Sequence, residues 1–277
     1  MKLTVLGSGT SHGIPVIGCS CPVCCSPDPR DNRMRASLFI QGDKGEKVII
    51  DTGPEFRLQA LRAGISALDA VFLTHAHADH LHGLDDVRSL SYEQKIPIYG
   101  NANTMAEIEE RFSYVFKTTQ RGGGKPRISL NPVEKPVQIG SLILTPIPVK
   151  HGALDILGWM IQENGDKGPF AVYLTDTSAI PQESLDLIRG AALLIIDGLR
   201  ERIHETHFSF EQALNAGAEI RAPRVYLTHI CHSHSHREIE DYCRRYREIH
   251  KLEETVMGPA YDGMELALKK IRRTLRR

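Results

Sequence analysis

The sequence predicts an α/β fold in one domain, residues 1–277, built from two β-sheets with helices outside them. Short apolar runs bounded by turn residues alternate with segments of helical periodicity along the chain. No linker rich in Pro, Gly or Ser divides the chain, and no internal repeat has a fixed period. In addition, metal-ligand types of residue repeatedly follow the ends of the predicted strands. Because strand ends meet at one edge of a sheet, this pattern also predicts a shared site there.

Each element is predicted from local composition and periodicity. Residues 2–7 form an apolar strand that ends in small residues. Residues 36–40 and 47–50 form a hairpin, because a glycine-rich turn separates them. Two prolines place the strand 142–149 at an edge or an irregular position of its sheet. The same criteria predict further strands at 70–73, 96–99, 158–162, 170–175, 193–196 and 225–227, and helices at 54–63, 83–94, 104–114, 184–189 and 209–220.

The composition is that of a globular protein without a charge bias. Hydrophobic residues make up 41% and charged residues 25%, ordinary values for a chain that buries a core. The formal net charge is zero, so no overall field attracts nucleic acid or an acidic membrane. We interpret the basic segment Lys269–Arg277 as a solvated helix end. No apolar run approaches the ~18 residues of a membrane span, and no signal peptide is evident, so we expect a cytoplasmic protein without a membrane partner.

The organising stretch of the chain runs from Ala70 to His80. The apolar strand 70–73 is followed within seven residues by three histidines and an aspartate, His75, His77, Asp79 and His80. Imidazole and carboxylate are the ligands that zinc, iron and manganese accept in proteins. A loop leaving a strand can turn the first two residues toward one ion and the last two toward another. A solvated loop that happens to be rich in histidine is the weaker interpretation of four such residues at this spacing.

Further ligand-type residues follow other predicted strands. They are Asp51, His151, Asp176, Asp197 and His229. For Asp51 two roles stay open: accepting a hydrogen bond from a ligand histidine, or capping the helix 54–63. His12 also lies in a loop after a strand, where a single histidine is usually structural or solvated.

A second group of potential ligands lies near the N-terminus. Four of the six cysteines crowd into residues 19–25, and in a reducing compartment that density indicates metal thiolates and not disulfides. Cys19, Cys21 and Cys24 with one histidine would form a closed structural zinc site. His232, three residues after His229, is the predicted fourth ligand. The alternatives are Cys25, Cys231, His234 and His236.

The histidine motif resembles that of the metallo-β-lactamase superfamily, and the resemblance runs from Met1 to about Gly263. It implies an αββα sandwich, two mixed β-sheets with helices on the outer faces, and a dinuclear centre at one edge. It also implies two divalent cations, Zn or Mn or else Fe, and a homodimer. Carried over by position, the first cation would be held by His75, His77 and His151, the second by Asp79, His80 and His229, and both by Asp176.

The cysteine cluster together with an intact histidine motif resembles one branch, the phosphoribosyl 1,2-cyclic phosphate phosphodiesterases that assist carbon–phosphorus lyase in phosphonate breakdown. The resemblance implies a small phosphodiester substrate, such as 5-phosphoribosyl 1,2-cyclic phosphate or a 2′,3′-cyclic nucleotide, attacked at phosphorus by a hydroxide that bridges the metals. Aspartate at position 176 argues against lactam hydrolysis, since β-lactamases generally have cysteine there. A related branch in quinone-cofactor synthesis also has clustered cysteines, but its histidine motif is degraded.

Several roles follow from the resemblance and from local context. Asp79 and Asp176 are candidate catalytic carboxylates. His207 is a candidate general acid or phosphate contact, the alternative being that it caps the helix 209–220 with Thr206. His204 is expected to be solvated, and Asp262 to support a ligand histidine. The glycine-rich segment 112–127 is either a mobile surface loop or a lid over the site.

Two rival functions are kept at this stage. One is an RNA-processing nuclease of the same superfamily, which needs a broad electropositive surface that zero net charge does not provide. The other is a non-enzymatic metal-binding protein with a vestigial site, against which the seven intact ligand positions argue.

Overall fold

Two seven-stranded β-sheets lie face to face with helices on both outer sides. This architecture is seen in a computed structural model that describes residues 1–117, 124–163 and 168–268. The strand order is β14-β1-β2-β3-β4-β5-β6 in the first sheet and β13-β12-β11-β10-β9-β8-β7 in the second. The bounds are β1 Lys2–Gly7, β2 Ser37–Gln41, β3 Lys47–Ile50, β4 Ala70–Phe72, β5 Ile96–Gly100, β6 Ile128–Pro132, β7 Val137–Ile139, β8 Leu142–His151, β9 Leu154–Glu163, β10 Ala171–Leu174, β11 Leu193–Asp197, β12 Arg224–Thr228, β13 Val256–Pro259 and β14 Glu265–Ala267.

The helices lie between the strands in sequence and outside the sheets in space. Their bounds are α1 Phe56–Arg62, α2 Ala78–Leu81, α3 Ala102–Arg111, α4 Ser113–Phe116, α5 Gln182–Ile188, α6 Phe210–Ile220 and α7 His236–His250, with 3₁₀ helices at Pro29–Asp31 and Leu84–Leu90. Both sheets mix parallel and antiparallel pairs: β3 to β6 are parallel in the first, and β10 to β13 in the second. The predicted α/β sandwich is therefore confirmed.

The main core fills the space between the two sheets. Phe72 of the first sheet packs edge-on against Trp159 of the second, with ring centroids 4.8 Å apart, and both side chains are fully buried. Aliphatic side chains from both inner faces surround this pair. Aromatic contacts of this kind add to the hydrophobic free energy that holds the sheets together.

Two further cores cover the outer faces. Against the first sheet pack α1, α3 and the 3₁₀ helix Leu84–Leu90. Against the second pack α5, α6 and α7. Burial on both faces explains why the inner strands are continuous apolar runs, such as Leu193–Asp197, instead of alternating ones.

Most predicted elements are present, and two differ. The hairpin of β2 and β3 is confirmed. The position of the prolines is confirmed too, since β7 pairs with β8 only over Leu142 to Leu144 and the next bridge on that side, at Lys150, comes after Pro146 and Pro148. The helix predicted at 83–94 is present but is shorter and of the 3₁₀ type, Leu84–Leu90. The Ser89 and Ser91 hydroxyls donate to backbone carbonyls three residues earlier. Helix α7, which is 15 residues long, was not predicted.

Two predicted segments reach beyond the described residues. The loop or lid at 112–127 includes residues 118–123, and the basic segment 269–277 lies wholly outside. None of the helices in the described segments has the length and hydropathy that a bilayer crossing requires.

Candidate metal centres

The ends of four strands deliver the candidate ligands to one rim of the sandwich. His75 and His77 follow β4, and α2 immediately adds Asp79 and His80. His151 is the last residue of β8, Asp176 lies just after β10, and His229 directly follows β12. Sequence positions more than 150 residues apart are thus brought together because neighbouring strands end at the same edge.

Three residues at this rim have a strained backbone conformation. Asp51, Asp176 and His229 have φ of 63°, 54° and 57°, in the left-handed region that residues other than glycine rarely adopt. The other described non-glycine residues with positive φ are Arg221 and Lys251, which end helices α6 and α7. Strain held at three site positions is typical of functional sites, where surrounding structure compensates for it.

The first donor group consists of three histidines. One ligand atom from each of His75, His77 and His151 lies within 4.8 Å of the others. The ring centroids are 4.5 Å apart for His75 and His77, and 5.2 Å for His77 and His151. Three convergent imidazoles are a typical donor set for a catalytic zinc ion.

The second donor group combines two carboxylates with two imidazoles, from Asp79, His80, Asp176 and His229. His80 Nε2 lies 3.0 Å from Asp79 Oδ2 and 3.1 Å from Asp176 Oδ2. His229 Nε2 lies 3.2 Å from Asp176 Oδ1. Asp176 also shares a donor group with His151 of the first set. Its carboxylate therefore lies between the two groups, where a bridging ligand has to be.

Several ring nitrogens of these groups lack hydrogen-bond partners and are available to bind a metal. His75 Nε2, His80 Nε2 and both ring nitrogens of His229 are buried without a hydrogen-bond partner among the described residues. The nearby carboxylate oxygens lie at contact distance but lack hydrogen-bond geometry. Buried polar atoms without partners are costly, and cations at the two donor groups would satisfy His75 Nε2, His80 Nε2 and one of the His229 nitrogens. The residues present therefore fit the divalent metals that the fold implies.

The protonation states in the site also suit a cation. Burial and the neighbouring charge of His80 hold the pKa of His75 well below its usual value. Burial alone would raise the pKa of Asp176, but the charges of His229 and His80 outweigh it and leave that pKa well below its usual value. Burial would likewise lower the pKa of His80, yet Asp176, Asp79 and Asp51 raise it well above the usual value. The pocket thus favours ionised carboxylates and a positive charge between them.

Asp51 orients one of the ligand histidines. Its Oδ2 accepts a hydrogen bond from His80 Nδ1 at 2.8 Å, and its Oδ1 accepts one from the Thr74 backbone N–H at 2.8 Å. The Thr74 hydroxyl also donates to Asp51 Oδ2 and lies 3.0 Å from His75 Nδ1. The first residue of α1 is preceded by Glu55, so the capping role for Asp51 is wrong. A carboxylate that fixes the tautomer of a ligand histidine is common in metal sites.

His207 belongs to the same rim. Its Nδ1 lies 2.7 Å from Asp197 Oδ2, and its ring stacks on His229 with centroids 4.7 Å apart. Helix α6 is capped by the hydroxyl of Ser209 in a capping box with Gln212, so the capping role for His207 and Thr206 is wrong. His204 is half-buried 5.3 Å from the His207 ring, and the expectation that it is solvated is therefore wrong as well.

The cysteine loop forms a separate donor group. The Sγ atoms of Cys19, Cys21 and Cys24 lie 3.4, 3.5 and 3.4 Å from His232 Nδ1. The backbone N–H of Cys24 lowers the pKa of the Cys21 thiol to about 6, whereas burial raises that of the Cys24 thiol to about 11. Three thiols around one imidazole match a closed Cys₃His zinc set.

The four alternative ligands lie elsewhere. Cys25 is exposed, and the Cys231 thiol lies 3.1 Å from the Ser233 hydroxyl. His234 pairs with Glu201, and His236 begins α7 and lies 3.3 Å from Glu240. None of the four is in the donor group of His232.

A buried arginine connects the cysteine loop to the dinuclear rim. Arg33 is fully buried, pairs with Asp31 at 3.0 Å and donates to the carbonyls of Cys231 and His234 at 2.7 and 3.1 Å. Ile230, next to His229, donates its backbone N–H to Ser8 at 2.9 Å. The segment that bears His229 and His232 is therefore fixed to the N-terminal loop even without a metal.

Some roles could not be found from the sequence, and one was assigned wrongly. Asp262 accepts hydrogen bonds from Ser8 and from the backbone of Met34, not from a ligand histidine. Its buried carboxylate ties the last strand to the N-terminal loop instead. Thr74 carries no sequence signal, and the position of Asp197 at a strand end was the signal for its contact with His207. His12 is exposed and joins no donor group among the described residues.

Residues 46–230 match the family model described as a beta-lactamase superfamily domain. The chain belongs to the metallo-β-lactamase superfamily. The structure is also similar to the crystal structure of a new diphosphatase from the PhnP family, with a TM-score of 0.85, 36% identity and coverage of 97% of this chain and 98% of that chain. The predicted superfamily is confirmed, and this likeness agrees with the predicted branch.

Two curated relatives extend the comparison. An octanoyltransferase of Porphyromonas gingivalis is 37% identical over 272 residues, which cover 96% of this chain but 51% of that protein. The chain thus spans about half the length of that relative. A ribonuclease Z of Pyrobaculum aerophilum is 24% identical over 275 residues, covering 83% of this chain and 86% of that protein.

The cysteine site can be tested by removing one thiol. We expect Cys21→Ser to lose one bound zinc ion per chain and to lower the free energy of unfolding, because the binding free energy of a structural zinc is also folding free energy. Cys25→Ser is the matched control and should change neither quantity. Elemental analysis and urea unfolding measure both. A Cys21→Ser protein with full zinc content and unchanged stability would contradict the assignment.

The role of Asp51 can be tested separately. We expect Asp51→Asn to weaken metal binding at the dinuclear centre about 10- to 100-fold, because the amide cannot accept both hydrogen bonds that orient His80 and Thr74. Chelator competition on zinc-loaded protein measures the affinity. The control is Asp69→Asn, at the opposite end of β4, whose carboxylate accepts only from the backbone of Lys47. Equal affinity in both variants would remove Asp51 from the site.

Proposed function

We propose that the chain is a metal-dependent phosphodiesterase that hydrolyses a small cyclic phosphodiester, such as 5-phosphoribosyl 1,2-cyclic phosphate or a 2′,3′-cyclic nucleotide. The observation that carries this proposal is the position of Asp176 between two donor groups of imidazoles and carboxylates, all of them buried except His77. Seven converging donors at one rim provide room for two divalent cations, and we propose Zn or Mn for both, with Fe accepted by the same ligands.

Two cations bound there would supply Lewis acidity, which makes hydroxide available at neutral pH and neutralises charge on the phosphoryl oxygens. The protein residues provide orientation around that chemistry. The carboxylates of Asp79 and Asp176 can accept a hydrogen bond from the attacking water and fix its direction. Burial of both side chains makes these interactions stronger than they would be in water.

His207 is placed to provide the proton that the leaving oxygen needs. Because Asp197 accepts from its Nδ1, the protonatable nitrogen is Nε2. A carboxylate that holds an imidazole in this way fixes its tautomer, and burial lowers the pKa of His207, so a proton on Nε2 is readily given up. When the P–O bond breaks, the proton on Nε2 passes to the leaving alkoxide and His207 becomes neutral.

A second candidate substrate class is a diphosphate ester. It is favoured by the 36% identity and near-complete coverage shared with the PhnP-family diphosphatase. The attack on phosphorus is the same in both reactions, but the leaving groups differ. A phosphate leaves as a weak base and needs the His207 proton less than an alkoxide does. The two substrate classes therefore make different demands on one residue.

The two rivals are tested by the same substrates. Ribonuclease Z is among the relatives, but the chain has no net positive charge with which to hold RNA. The panel consists of cyclic ribose phosphates, 2′,3′-cyclic nucleotides, a dinucleotide diphosphate and structured RNA. We expect the protein to cleave the small substrates faster than the RNA. Loaded protein that cleaves none of them, nor bis(p-nitrophenyl) phosphate, would support the non-enzymatic alternative.

The role of His207 makes a specific kinetic prediction. We expect His207→Ala to lower kcat about 10²- to 10⁴-fold on a cyclic phosphodiester, whose alkoxide must be protonated. On bis(p-nitrophenyl) phosphate, whose leaving group departs without a proton, the loss should be below about tenfold. Metal content, measured by elemental analysis, should stay unchanged.

The matched control for this experiment is His12→Ala, since His12 is exposed and outside the donor groups. It should leave both rates unchanged. An equal loss on both substrates in His207→Ala would show that His207 supports the metals and not the leaving group. Unchanged kcat on both would remove it from the mechanism.

A further inference from the structure

The C-terminal end of helix α3 contacts the segment that bears the first two ligand histidines. The Nη1 of Arg111, the last residue of the helix, donates to the carbonyl of Ala76 at 2.6 Å. Ala76 is the residue between His75 and His77, and its side chain belongs to the core that α3 covers. Within the described ranges, this guanidinium is the one hydrogen-bond donor to the Ala76 carbonyl. The backbone between two candidate ligands is thus held by a charge-assisted hydrogen bond from another element.

Two neighbours fix the position of this guanidinium. Its Nη2 pairs at 2.6 Å with Glu107 Oε2, one turn earlier in α3. Both side chains are more than a third exposed or close to it, at 38% and 35%, so the ion pair adds little stability and serves to orient the guanidinium. The residue after Arg111, Phe112, is buried and packs edge-on against His82, with ring centroids 6.3 Å apart. The end of α3 therefore contacts the ligand-bearing segment on both sides of α2.

The start of the same helix contacts the hairpin that bears the third histidine. Asn101 caps α3 by accepting from the Thr104 N–H at 2.8 Å, and its Nδ2 donates to the Asp155 carbonyl at 3.2 Å. Asp155 lies opposite Lys150 in the β8–β9 pair, one position before His151. Helix α3 thus connects the two segments that supply the first donor group. A site supported by a regular element in this way is pre-organised.

His77 is the ligand of the first donor group whose ring has the least support of its own. His75 Nδ1 lies 3.0 Å from the hydroxyl of the preceding threonine, and His151 Nδ1 lies 2.8 Å from the Thr206 carbonyl. The His77 ring is exposed, and neither of its nitrogens has a hydrogen-bond partner among the described residues. Such a partner is what usually fixes the orientation of a ligand imidazole. The direction of the His77 ring therefore depends on the backbone before it, which Arg111 holds.

We propose that Arg111 is a positioning residue for the first metal site: by holding the Ala76 carbonyl, it directs the imidazole of His77 toward the cation of the first donor group. The proposal rests on the metal sites of the proposed function but not on its substrate. Ordering a ligand at the moment of binding costs conformational entropy and weakens the affinity. Arg111 orders His77 in advance and so reduces that cost. The second donor group has its own support in Asp51, so Arg111 acts on one of the two sites.

The test measures metal affinity and not turnover. Arg111→Met removes both polar contacts and keeps most of the aliphatic stem. We expect it to weaken the binding of one of the two rim cations about 10- to 100-fold, the usual effect of losing the support behind a metal ligand, and to leave the other within about threefold. Stepwise chelator competition on zinc-loaded protein measures both affinities. Arg111→Lys keeps a donor near the Ala76 carbonyl and should recover part of the loss. In a His77→Ala background, Arg111→Met should cost less than about twofold, because the two residues act as one unit.

The matched control is Arg127→Met, which should bind metal as the wild type does. Arg127 is also exposed and also donates its Nη1 to a backbone carbonyl at 2.6 Å, that of Tyr92, which is outside the donor groups. Unchanged affinities in Arg111→Met would overturn the proposal, and so would an equal loss at both cations or a loss that persists in full in the His77→Ala background. If the wild type binds both cations but cleaves nothing, the proposed function fails, while the positioning role stands or falls on the affinities alone. A wild type that binds no cation at the rim would overturn both.

Discussion

The burial of charged and polar donors at one rim is the constraint on which the rest of the structure depends. Two carboxylates and several imidazoles lie almost out of reach of water, and four of their ring nitrogens have no hydrogen-bond partner among the described residues. Without a cation such a cluster is costly, because buried ring nitrogens are left without hydrogen-bond partners. The two packed sheets, each with strand ends at this rim, keep these donors together despite the unfavourable free energy. Metal binding and fold stability are therefore coupled.

The two candidate metal centres are linked through one short segment. His229 and His232 are three residues apart, and the residues between them are held by Ser8, Arg33 and Leu199. The cysteine loop thus fixes the end of β12, from which His229 reaches the dinuclear rim. Architecture and the candidate metal ligands therefore converge on the chain between β11 and α7.

The resemblance of the histidine motif to a known family was enough to predict the superfamily and its sandwich, and ligand types after strand ends predicted the donor positions that the structure brings together. Spacing alone could not show partners that are distant in sequence: Asp51 and His80, Asp197 and His207, or Asp262 and Met34. Those contacts depend on sheet order, which local periodicity does not contain. Helix α7 does carry a sequence signal, since Ser235 and Glu238 form a capping box ahead of an apolar stripe. The 3₁₀ type of the helix Leu84–Leu90 carries none, because the competition of serine hydroxyls for carbonyls is a matter of geometry.

Direct location of the bound ions tests the central claim most closely. Crystals of protein purified with zinc, measured on both sides of the zinc absorption edge, would show how many ions are bound and where. We expect three per chain: one among Cys19, Cys21, Cys24 and His232, and two ~3.5–4 Å apart, with Asp176 touching both. A fully active sample without metal at the rim, or a single ion there that Asp176 does not contact, would contradict the assignment of the dinuclear centre.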